Sequence, residues 1–351
     1  LKHALTFLPH AALAGDRAQS YGAAVARLET MAATLGRRAL PGEPPWPVEP
    51  VQFAPIDAAS NWPPGGYRDA VAAAKEAIAA GEVFQVVLSQ RFSIAESLDP
   101  LTLYRSLRAL NPSPYMFLLR FADCCVVGSS PEVLVRLDGD DVLVRPIAGT
   151  RRRGATEAED AALEAELLAD EKELAEHRML VDLGRNDVGR VAAVGTVELH
   201  APLHIERYSH VMHIVSDVHG KLAPGKTAFD VFRACFPAGT VSGAPKVRAC
   251  ELIATIEPDR RGVYAGAVGY FDFAGNMDTC IAIRTMVVTP DAVHVQAGAG
   301  IVYDSVPALE DEECRNKARA AFAAIALARS RCAALAGVPV GASAPSPSTK
   351  G

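Results

Sequence analysis

The sequence predicts an α+β fold, in which hairpin strands are interleaved with single helices, rather than a doubly wound parallel sheet. Three observations support this fold class. Short apolar runs rich in β-branched residues recur along the chain. Turn residues separate neighbouring runs, which is typical of antiparallel strands. Longer stretches rich in Ala, Leu and charged residues stand singly between the groups of strands, as expected for isolated helices.

The first part of the chain alternates between helices and breaks. Ala, Leu, Met and Arg at helical spacing predict a helix over residues 17–39, and proline and glycine break the chain at 41–47 and 63–66. A second helix is predicted over 67–80, and it leads into an apolar strand at 83–92.

A group of strands follows a helix predicted near 99–110. Turn residues separate the apolar runs, so we expect one antiparallel meander. The predicted strands cover residues 114–121, 124–128, 132–137 and 141–146.

The longest helical pattern covers residues 156–183 and is rich in Ala, Leu and Glu. Two strands near 190–199 and 209–218 and a short helix near 226–234 are predicted after it. The remaining predicted elements are a loop at 239–246 that opens a helix to about 257, strands at 263–273, 279–288 and 292–300, and a last helix at 306–333.

Composition and charge restrict the function classes. The chain has 351 residues, of which 50% are hydrophobic, enough for a large core in one or two domains. A formal net charge of −6 gives no basic stripe, so nucleic-acid binding is not expected. No apolar run is long enough to span a bilayer, so no membrane segment is expected. The seven cysteines lack zinc-type spacing and predict buried, reduced thiols in a cytoplasmic protein.

Two acidic pairs, Glu173-x-x-Glu176 and Glu310-x-x-Glu313, indicate a metal site. Each pair lies in a predicted helix, where residues three apart share a face. Four convergent carboxylates would repel one another unless a cation lay between them, and hard oxygen ligands suit Mg²⁺. The alternative is two solvated acidic helix faces, which is the better interpretation of either pair alone.

Glycine-rich segments indicate anion binding. Residues 146–151 and Gly298–Gly300 end predicted strands, where small residues let backbone N–H groups approach a ligand. Alone, each segment is usually a turn. The loop from Gly239 to Lys246 is a stronger signal, because it precedes a helix and places a lysine in the first turn. The spacing of a P-loop is absent.

Three further side chains belong to the candidate site. Arg284 in a predicted core strand requires a buried anion, which arginine binds as a bidentate partner. Alternation places His213 on an apolar face, where a histidine is more often a core residue than a catalyst. Glu132 lies at the start of a strand, just after a tight turn. It is either a general acid or only a carboxylate at the edge of the turn. Together these groups describe a pocket for a small polycarboxylate held partly through Mg²⁺.

Six segments together resemble the chorismate-binding enzyme family, over about residues 66–330. Within it they are most similar to the large, synthase subunits of anthranilate synthases. The segments are Pro-Ile-Ala-Gly-Thr-Arg (146–151), residues 173–187 from Glu-Leu-Ala-Glu to Gly-Arg-Asn-Asp, Tyr-Ser-His-Val-Met-His (208–213), Pro-Ala-Gly-Thr-Val-Ser-Gly-Ala-Pro-Lys (237–246), Gln-Ala-Gly-Ala-Gly (296–300) and Glu-Asp-Glu-Glu-Cys-Arg-Asn-Lys-Ala (310–318).

The resemblance implies a fold of two packed, mostly antiparallel β-sheets flanked by helices, and a role for each matched residue. Glu176 and Glu313 bind Mg²⁺ directly, and Glu173 and Glu310 hold its waters. The groups that bind the carboxylates and ring of chorismate are Gly149, Thr150, Tyr264, Arg284, Gly298, Ala299 and Gly300. His213 and Thr240 line the reacting face, and Lys246 adds positive charge. The chemistry of such a reaction also needs an acid, and Glu132 is the candidate that protonates the departing hydroxyl. Pro114, Tyr115 and Met116 match half of a tryptophan feedback site.

The resemblance also implies a domain organisation and partners. Residues 1–50 are a remnant of a longer N-terminal region, 51–333 the chorismate-binding catalytic domain and 334–351 a disordered tail. The implied reaction converts chorismate and ammonia to anthranilate and pyruvate. A Gly-x-Cys-x-Gly motif is absent from the sequence. A separate or fused glutamine amidotransferase therefore supplies the ammonia. Arg152 departs from the family, which usually has proline there.

Two other function classes remain open. Sister enzymes on the same fold make aminodeoxychorismate, isochorismate, salicylate or aminodeoxyisochorismate, and a non-catalytic subunit would only bind chorismate or an amidotransferase. Aminodeoxychorismate synthases carry a nucleophilic lysine at the position of Ala148, and the water-using enzymes carry a lysine base at the position of Gln85. Both lysines are absent here, which favours direct attack by ammonia.

Overall fold

The computed structural model describes residues 17–36, 56–208 and 211–335. The chain divides into two compact units, Leu1–Pro47 and Val48–Gly351. In the first unit, helix α1 covers Arg17–Gly36, in agreement with the predicted helix over its described part. The predicted break at 41–47 lies outside the described residues.

The second unit contains the remaining described helices, most of which begin at a side-chain cap. Asp99, Thr156, Asp170 and Thr227 each accept hydrogen bonds from backbone N–H groups in the first turn of a helix. The helices are α2 (Gly66–Ala79), α3 (Pro100–Leu110), α4 (Glu157–Ala169), α5 (Glu171–Gly189), α6 (Ala228–Cys235), α7 (Lys246–Ile256) and α8 (Pro307–Leu335). None of the described helices is both long and apolar enough to cross a bilayer.

Fourteen strands are present in the described part of the second unit. They are β1 (Ala59–Ser60), β2 (Gln85–Ile94), β3 (Tyr115–Arg120), β4 (Cys125–Ser130), β5 (Val133–Asp138), β6 (Asp141–Val144), β7 (Ile147–Arg152), β8 (Glu198–Arg207), β9 (Val211–Lys221), β10 (Gly243–Ala244), β11 (Ala267–Phe271), β12 (Met277–Ile281), β13 (Thr285–Val288) and β14 (Val293–Ile301).

The strands form two antiparallel sheets. The first has the order β1-β2-β14-β13-β4-β3, with β10 also paired to β2, and the second has the order β11-β12-β5-β6-β9-β7, with β8 also paired to β9. Helices α3 and α8 pack on the first sheet, where Leu103 and Ile325 join its core. Helices α5 and α6 pack on the second, through Val181 and Val231. The predicted α+β class, with two antiparallel sheets flanked by helices, is confirmed.

The chain passes between the sheets four times, and two of these crossings, between β4 and β5 and between β12 and β13, divide segments that were predicted as continuous. The expected single meander over 114–146 is wrong, because β3-β4 belongs to the first sheet and β5-β6 to the second. Pro131, between them, has no N–H to continue the ladder. The strand expected over 279–288 is likewise two strands, β12 and β13, which are separated at Arg284 by a left-handed φ of 49°.

Three further boundaries differ from prediction. The helix expected over 156–183 is interrupted at Asp170, whose carboxylate accepts the N–H groups of Lys172 and Glu173 and starts α5. The strand expected near 190–199 begins only at Glu198. Residues 147–152 form a strand of their own, β7. Helix α8, not the 156–183 segment, is the longest described helix, with 29 residues. It covers positions 334 and 335 of the predicted tail, and the rest of the tail lies outside the described residues.

Candidate active site

The acidic pair on α5 lies against the first sheet. Glu176 Oε1 accepts a hydrogen bond of 3.2 Å from Gln85 Nε2 at the start of β2. Gly300 on the neighbouring strand β14 leaves room for this contact, since a Cβ atom there would lie 2.6 Å from Gln85 Nε2 and 3.8 Å from Glu176 Oε1. A side chain at position 300 would therefore displace the amide from the carboxylate.

Within each acidic pair the carboxylates repel each other. Burial raises the pKa of Glu173 and Glu176 raises it further. Burial also raises the pKa of Glu310, and Glu313 adds to the rise. Cations offset part of this repulsion, because Arg151 lies 3.4 Å from Glu173 and Lys317 lies 2.6 Å from Glu313.

The two acidic pairs do not form a closed cage. In the described part of the chain, three or more His, Cys, Asp or Glu side chains do not come close enough together to hold a metal ion. Lys172 of α5 nevertheless lies close enough to Glu310 of α8 to lower its pKa, so the N-terminal ends of the two helices face each other. Proteins usually bind Mg²⁺ through one or two carboxylates, with waters and substrate completing the shell. The donor set therefore fits Mg²⁺ chemically.

A β-bulge places the backbone of Gly149 against His213. The pairing of β7 with β9 shifts register between Ala148 and Thr150, and Gly149 has a left-handed φ of 68°. A Cβ atom at position 149 would lie 3.3 Å from Glu173 Oε2. Glycine therefore satisfies both the backbone conformation and the close approach of α5.

The protonation of His213 follows from its contacts. Its Nδ1 lies 3.1 Å from the Gly149 carbonyl oxygen and 3.0 Å from Thr150 Oγ1. A carbonyl oxygen only accepts hydrogen bonds, so Nδ1 carries the proton. Burial lowers the pKa of His213, which keeps the imidazole neutral near pH 7. The lone pair of Nε2 has no hydrogen-bond donor among the described residues and can accept a proton.

Glu132 lies where the chain first crosses between the sheets. Its carbonyl oxygen accepts the N–H of Ile281 at 3.0 Å, which ties together the first crossing and the end of β12. Burial raises the pKa of Glu132 to about 7, and Thr240, Arg284 and Lys317 oppose the rise. The carboxyl group therefore holds a proton in a large fraction of molecules at neutral pH, as a general acid requires.

Arg284 lies at the crossing between β12 and β13 and not within a strand as predicted. Burial lowers the pKa of its guanidinium, and the nearby Glu132 opposes this effect. The guanidinium of Arg284 makes no hydrogen bond to another described residue. Its N–H groups are thus available to a bound carboxylate.

The segment Gly298–Gly300 pairs with β2 along one edge of β14. On its other side, the Gly298 carbonyl oxygen accepts a hydrogen bond of 3.0 Å from Lys317 Nζ. A Cβ atom at position 298 would lie 2.7 Å from the hydroxyl of Tyr264, so glycine lets this phenol reach the strand. Ala299 is fully buried in the core and pairs with Leu88 of β2.

Lys246 does not present a free charge to the site. Its Nζ lies 2.7 Å from Asp187 Oδ2 and 3.0 Å from the Cys235 carbonyl oxygen, and both charged side chains are almost fully buried. The ammonium links α7, α5 and the end of α6. In the structure Lys246 therefore holds these helices together, and a catalytic role for it stays a prediction. Thr240, also predicted, lies in a 3₁₀ turn beside Glu132.

Sequence reasoning missed Lys317. It contacts Glu313 and Gly298 and lies close enough to Glu132 to lower its pKa. The spacing of four residues between Glu313 and Lys317 on a predicted helix was the available signal. The predicted feedback residues lie elsewhere, at edge strand β3, where the Tyr115 hydroxyl donates to Asp278 at 2.8 Å.

The cysteines were predicted to be buried, reduced thiols, and the burial is wrong for four of the seven. All seven are unpaired; Cys235, Cys280 and Cys314 are buried, and the other four are partly exposed.

Comparisons with known proteins identify the family. The family model described as chorismate binding enzyme matches residues 4–323. The anthranilate synthase component 1 of Pseudomonas putida is 56% identical over 315 residues, which cover 88% of this chain and 63% of that protein. Other curated relatives match over about half of their length, for example 52% for the component 1 of Cereibacter sphaeroides.

Solved structures agree with this assignment. The crystal structure of anthranilate synthase component I from Streptococcus pneumoniae superposes with a TM-score of 0.78 at 43% identity, over 89% of this chain and 68% of that one. The menaquinone-specific isochorismate synthase of Escherichia coli gives a TM-score of 0.73 at 25% identity, over 86% and 69%. The chain belongs to the chorismate-binding enzyme family.

Proposed function

We propose that the chain is the large subunit of an anthranilate synthase, which converts chorismate and ammonia to anthranilate and pyruvate. Curated relatives of that name, such as the P. putida protein at 56% identity, support this assignment. The structural observation that carries it is the contact between Gln85 and Glu176. A neutral amide stands there instead of a lysine base, so the site has no group at this position to activate water.

Chorismate carries two carboxylates, and the site offers separate groups for them. Arg284, whose guanidinium has unused donors, and Lys317 would bind the enolpyruvyl carboxylate next to Gly298. The hydroxyl of Tyr264 reaches strand β14 at Gly298, and its side chain would support the ring. The carboxylates of Glu176 and Glu313 would hold Mg²⁺ directly, and Glu173 and Glu310 would hold its waters. When bound, the ion supplies Lewis-acid chemistry that neutralises a substrate carboxylate and polarises the ring.

The proton transfers then fall to two residues. Glu132 donates its proton to the C4 hydroxyl, which departs as water while ammonia attacks C2. His213 accepts the C2 proton at Nε2, because Nδ1 is already protonated and bound to Gly149. Loss of this proton breaks the bond between the ring and the enolpyruvyl oxygen and makes the ring aromatic, and the released enolate takes up a proton to become pyruvate. Ala148 cannot act as a nucleophile, so a covalent path is closed.

The nitrogen source of the proposed reaction requires a partner. We expect a glutamine amidotransferase to supply ammonia in the cytoplasm, and tryptophan to act as an inhibitor through the Tyr115 region. The purified chain should form anthranilate from chorismate with ammonium salts but not with glutamine, until an amidotransferase is added. Glutamine-dependent formation of anthranilate by the purified chain alone would refute this part of the proposal.

The non-catalytic alternative is tested by binding. A functional site should bind Mg²⁺ more tightly when chorismate is present, because the substrate carboxylate completes the metal shell. Calorimetric titration of Mg²⁺ with and without chorismate measures this coupling. Equal affinities in both titrations, together with no consumption of chorismate, would favour a subunit that only binds.

A further inference from the structure

A small cavity lies behind Glu132, on the side of α5 and α6. Its volume is about 30 Å³, and its lining includes Glu132, Asp187, Cys235, Ala238 and Thr240. A cavity of only about 10–15 Å³ is enough to hold one water molecule. The space is therefore large enough for water and too small for a substrate.

Two polar atoms on side chains that line this cavity have no hydrogen-bond partner of good distance and angle among the described residues, although Thr240 lies close enough to Glu132 to lower the pKa of that carboxyl group. They are Asp187 Oδ1 and Thr240 Oγ1, and both atoms are buried. Asp187 is only 4% exposed, and its other oxygen is bound by Lys246. Leaving a buried polar atom unsatisfied costs about 1–3 kcal/mol, and more for a charged group. Two such atoms on one cavity indicate a shared ligand.

We infer that the cavity holds a buried water molecule that donates hydrogen bonds to Asp187 Oδ1 and Thr240 Oγ1 and thereby directs the hydroxyl hydrogen of Thr240 toward Glu132, which lines the same cavity. The Asp187–Lys246 pair then acts as a positioning device for Glu132 without touching the substrate. The role of Glu132 as an acid rests on the proposed function, whereas the water site does not.

The direction of each hydrogen bond follows from the groups. An ionised carboxylate only accepts, so the water donates one hydrogen to Asp187. Its second hydrogen is then free for a lone pair of Thr240, and the threonine keeps its own hydrogen for Glu132. Lys246 holds Asp187 in the ionised form, because the ammonium lies 2.7 Å from Oδ2. Neutral Asp187 could donate instead and would remove this preference.

Other charged groups also face Glu132 and must be held constant. Arg284 and Lys317 lower its pKa, and its carboxylate in turn raises the pKa of Tyr208 and Tyr264. Changing only Thr240 therefore separates the effect of the water and this hydroxyl on Glu132 from the effects of these charged groups. Thr240→Val keeps the shape of the side chain and removes the hydroxyl. Thr240→Ser keeps the hydroxyl and serves as the matched control.

The water site is tested by crystallography of the wild-type chain and both variants without substrate. We expect electron density for a water at hydrogen-bond distance from Asp187 Oδ1 and residue 240 in the wild type and in Thr240→Ser, and not at residue 240 in Thr240→Val. An empty cavity in the wild type, or a direct contact between Asp187 and Thr240, overturns the inference.

The effect on Glu132 is tested by infrared titration of its carboxyl group in the same three proteins. We expect Thr240→Val to raise the pKa of Glu132 by about one unit, the scale of one lost hydrogen bond. Thr240→Ser should leave it near the wild-type value. Equal pKa values in all three proteins refute this effect of the water and the hydroxyl on Glu132. Neither experiment uses chorismate, so a failure here is distinct from a failure of the proposed reaction.

Discussion

Glu132 shows how the fold gives one residue its chemistry. The sequence places this glutamate after a tight turn but does not show that the segment is a crossing between two sheets. Burial at that crossing raises the pKa to about 7, although Arg284 and Lys317 lie nearby. Desolvation thus outweighs two neighbouring cations, and a residue type that is normally ionised becomes a proton donor at neutral pH.

The pH dependence of turnover should report this carboxyl group. At a constant concentration of unprotonated ammonia, we expect kcat to fall as the pH rises through about 7, because the acid loses its proton. Glu132→Gln should lower kcat by at least about 100-fold and flatten this limb of the profile. Initial rates of anthranilate fluorescence measure both effects. A falling limb that persists unchanged in Glu132→Gln would assign it to another group.

The four glutamates of the acidic pairs should differ in their effects. Glu176→Gln and Glu313→Gln should abolish turnover at low Mg²⁺, because each removes a direct ligand. Glu173→Gln and Glu310→Gln should cost about 10–100-fold, as expected for groups that hold ligands in place. Glu312→Gln, at an exposed neighbouring position on α8, is the matched control and should be near wild type. Near-wild-type activity of Glu176→Gln or Glu313→Gln would contradict the metal assignment.

At the scale of elements, the buried ion pair between Lys246 and Asp187 joins three helices. The sequence pattern of a glycine loop with a lysine in the first helical turn favours an anion site, and that is how Lys246 was interpreted. The structure shows that its anion is a protein carboxylate. A sequence pattern cannot distinguish the two cases, because the partner lies 59 positions away on α5.

Removing this lysine should cost stability. Lys246→Met leaves Asp187 buried without its partner, so we expect the free energy of unfolding to fall by about 3–5 kcal/mol. Replacing both residues, in Lys246→Met with Asp187→Leu, should recover much of the loss. Lys221→Met, which removes an exposed ion pair with Asp140, should cost less than about 1 kcal/mol. Denaturant unfolding of the four proteins measures these differences. Equal stability of Lys246→Met and Lys221→Met would contradict the account.

Local sequence signals predicted most elements but not their connections. Helix α3 and the final helix α8 lie close to their predicted bounds, near 99–110 and at 306–333. The crossings from β4 to β5 and from β12 to β13 were not predicted, because a hairpin pattern does not show which sheet receives the next strand. The interruption at Asp170 was also missed, since Ala, Leu and Glu continue on both sides of it.

At the scale of the whole molecule, the site is assembled from distant parts of the chain. The predicted groups Gly149, Glu173 and His213 come together, as do Glu176 and Gly300. Motif spacing predicted these residues because each motif is local. It could not predict Lys317 next to Gly298 and Glu132, which depends on how α8 packs against β14. The same limit explains why the cavity behind Glu132 has no counterpart in the sequence.

The central claim is direct attack by ammonia followed by loss of pyruvate, and the products test it. The purified chain, chorismate, Mg²⁺ and an ammonium salt are incubated, and the products are identified by mass spectrometry and quantified. We predict anthranilate and pyruvate in equal amounts. Isochorismate, 4-amino-4-deoxychorismate, or an amino intermediate without pyruvate as the main product would contradict the claim.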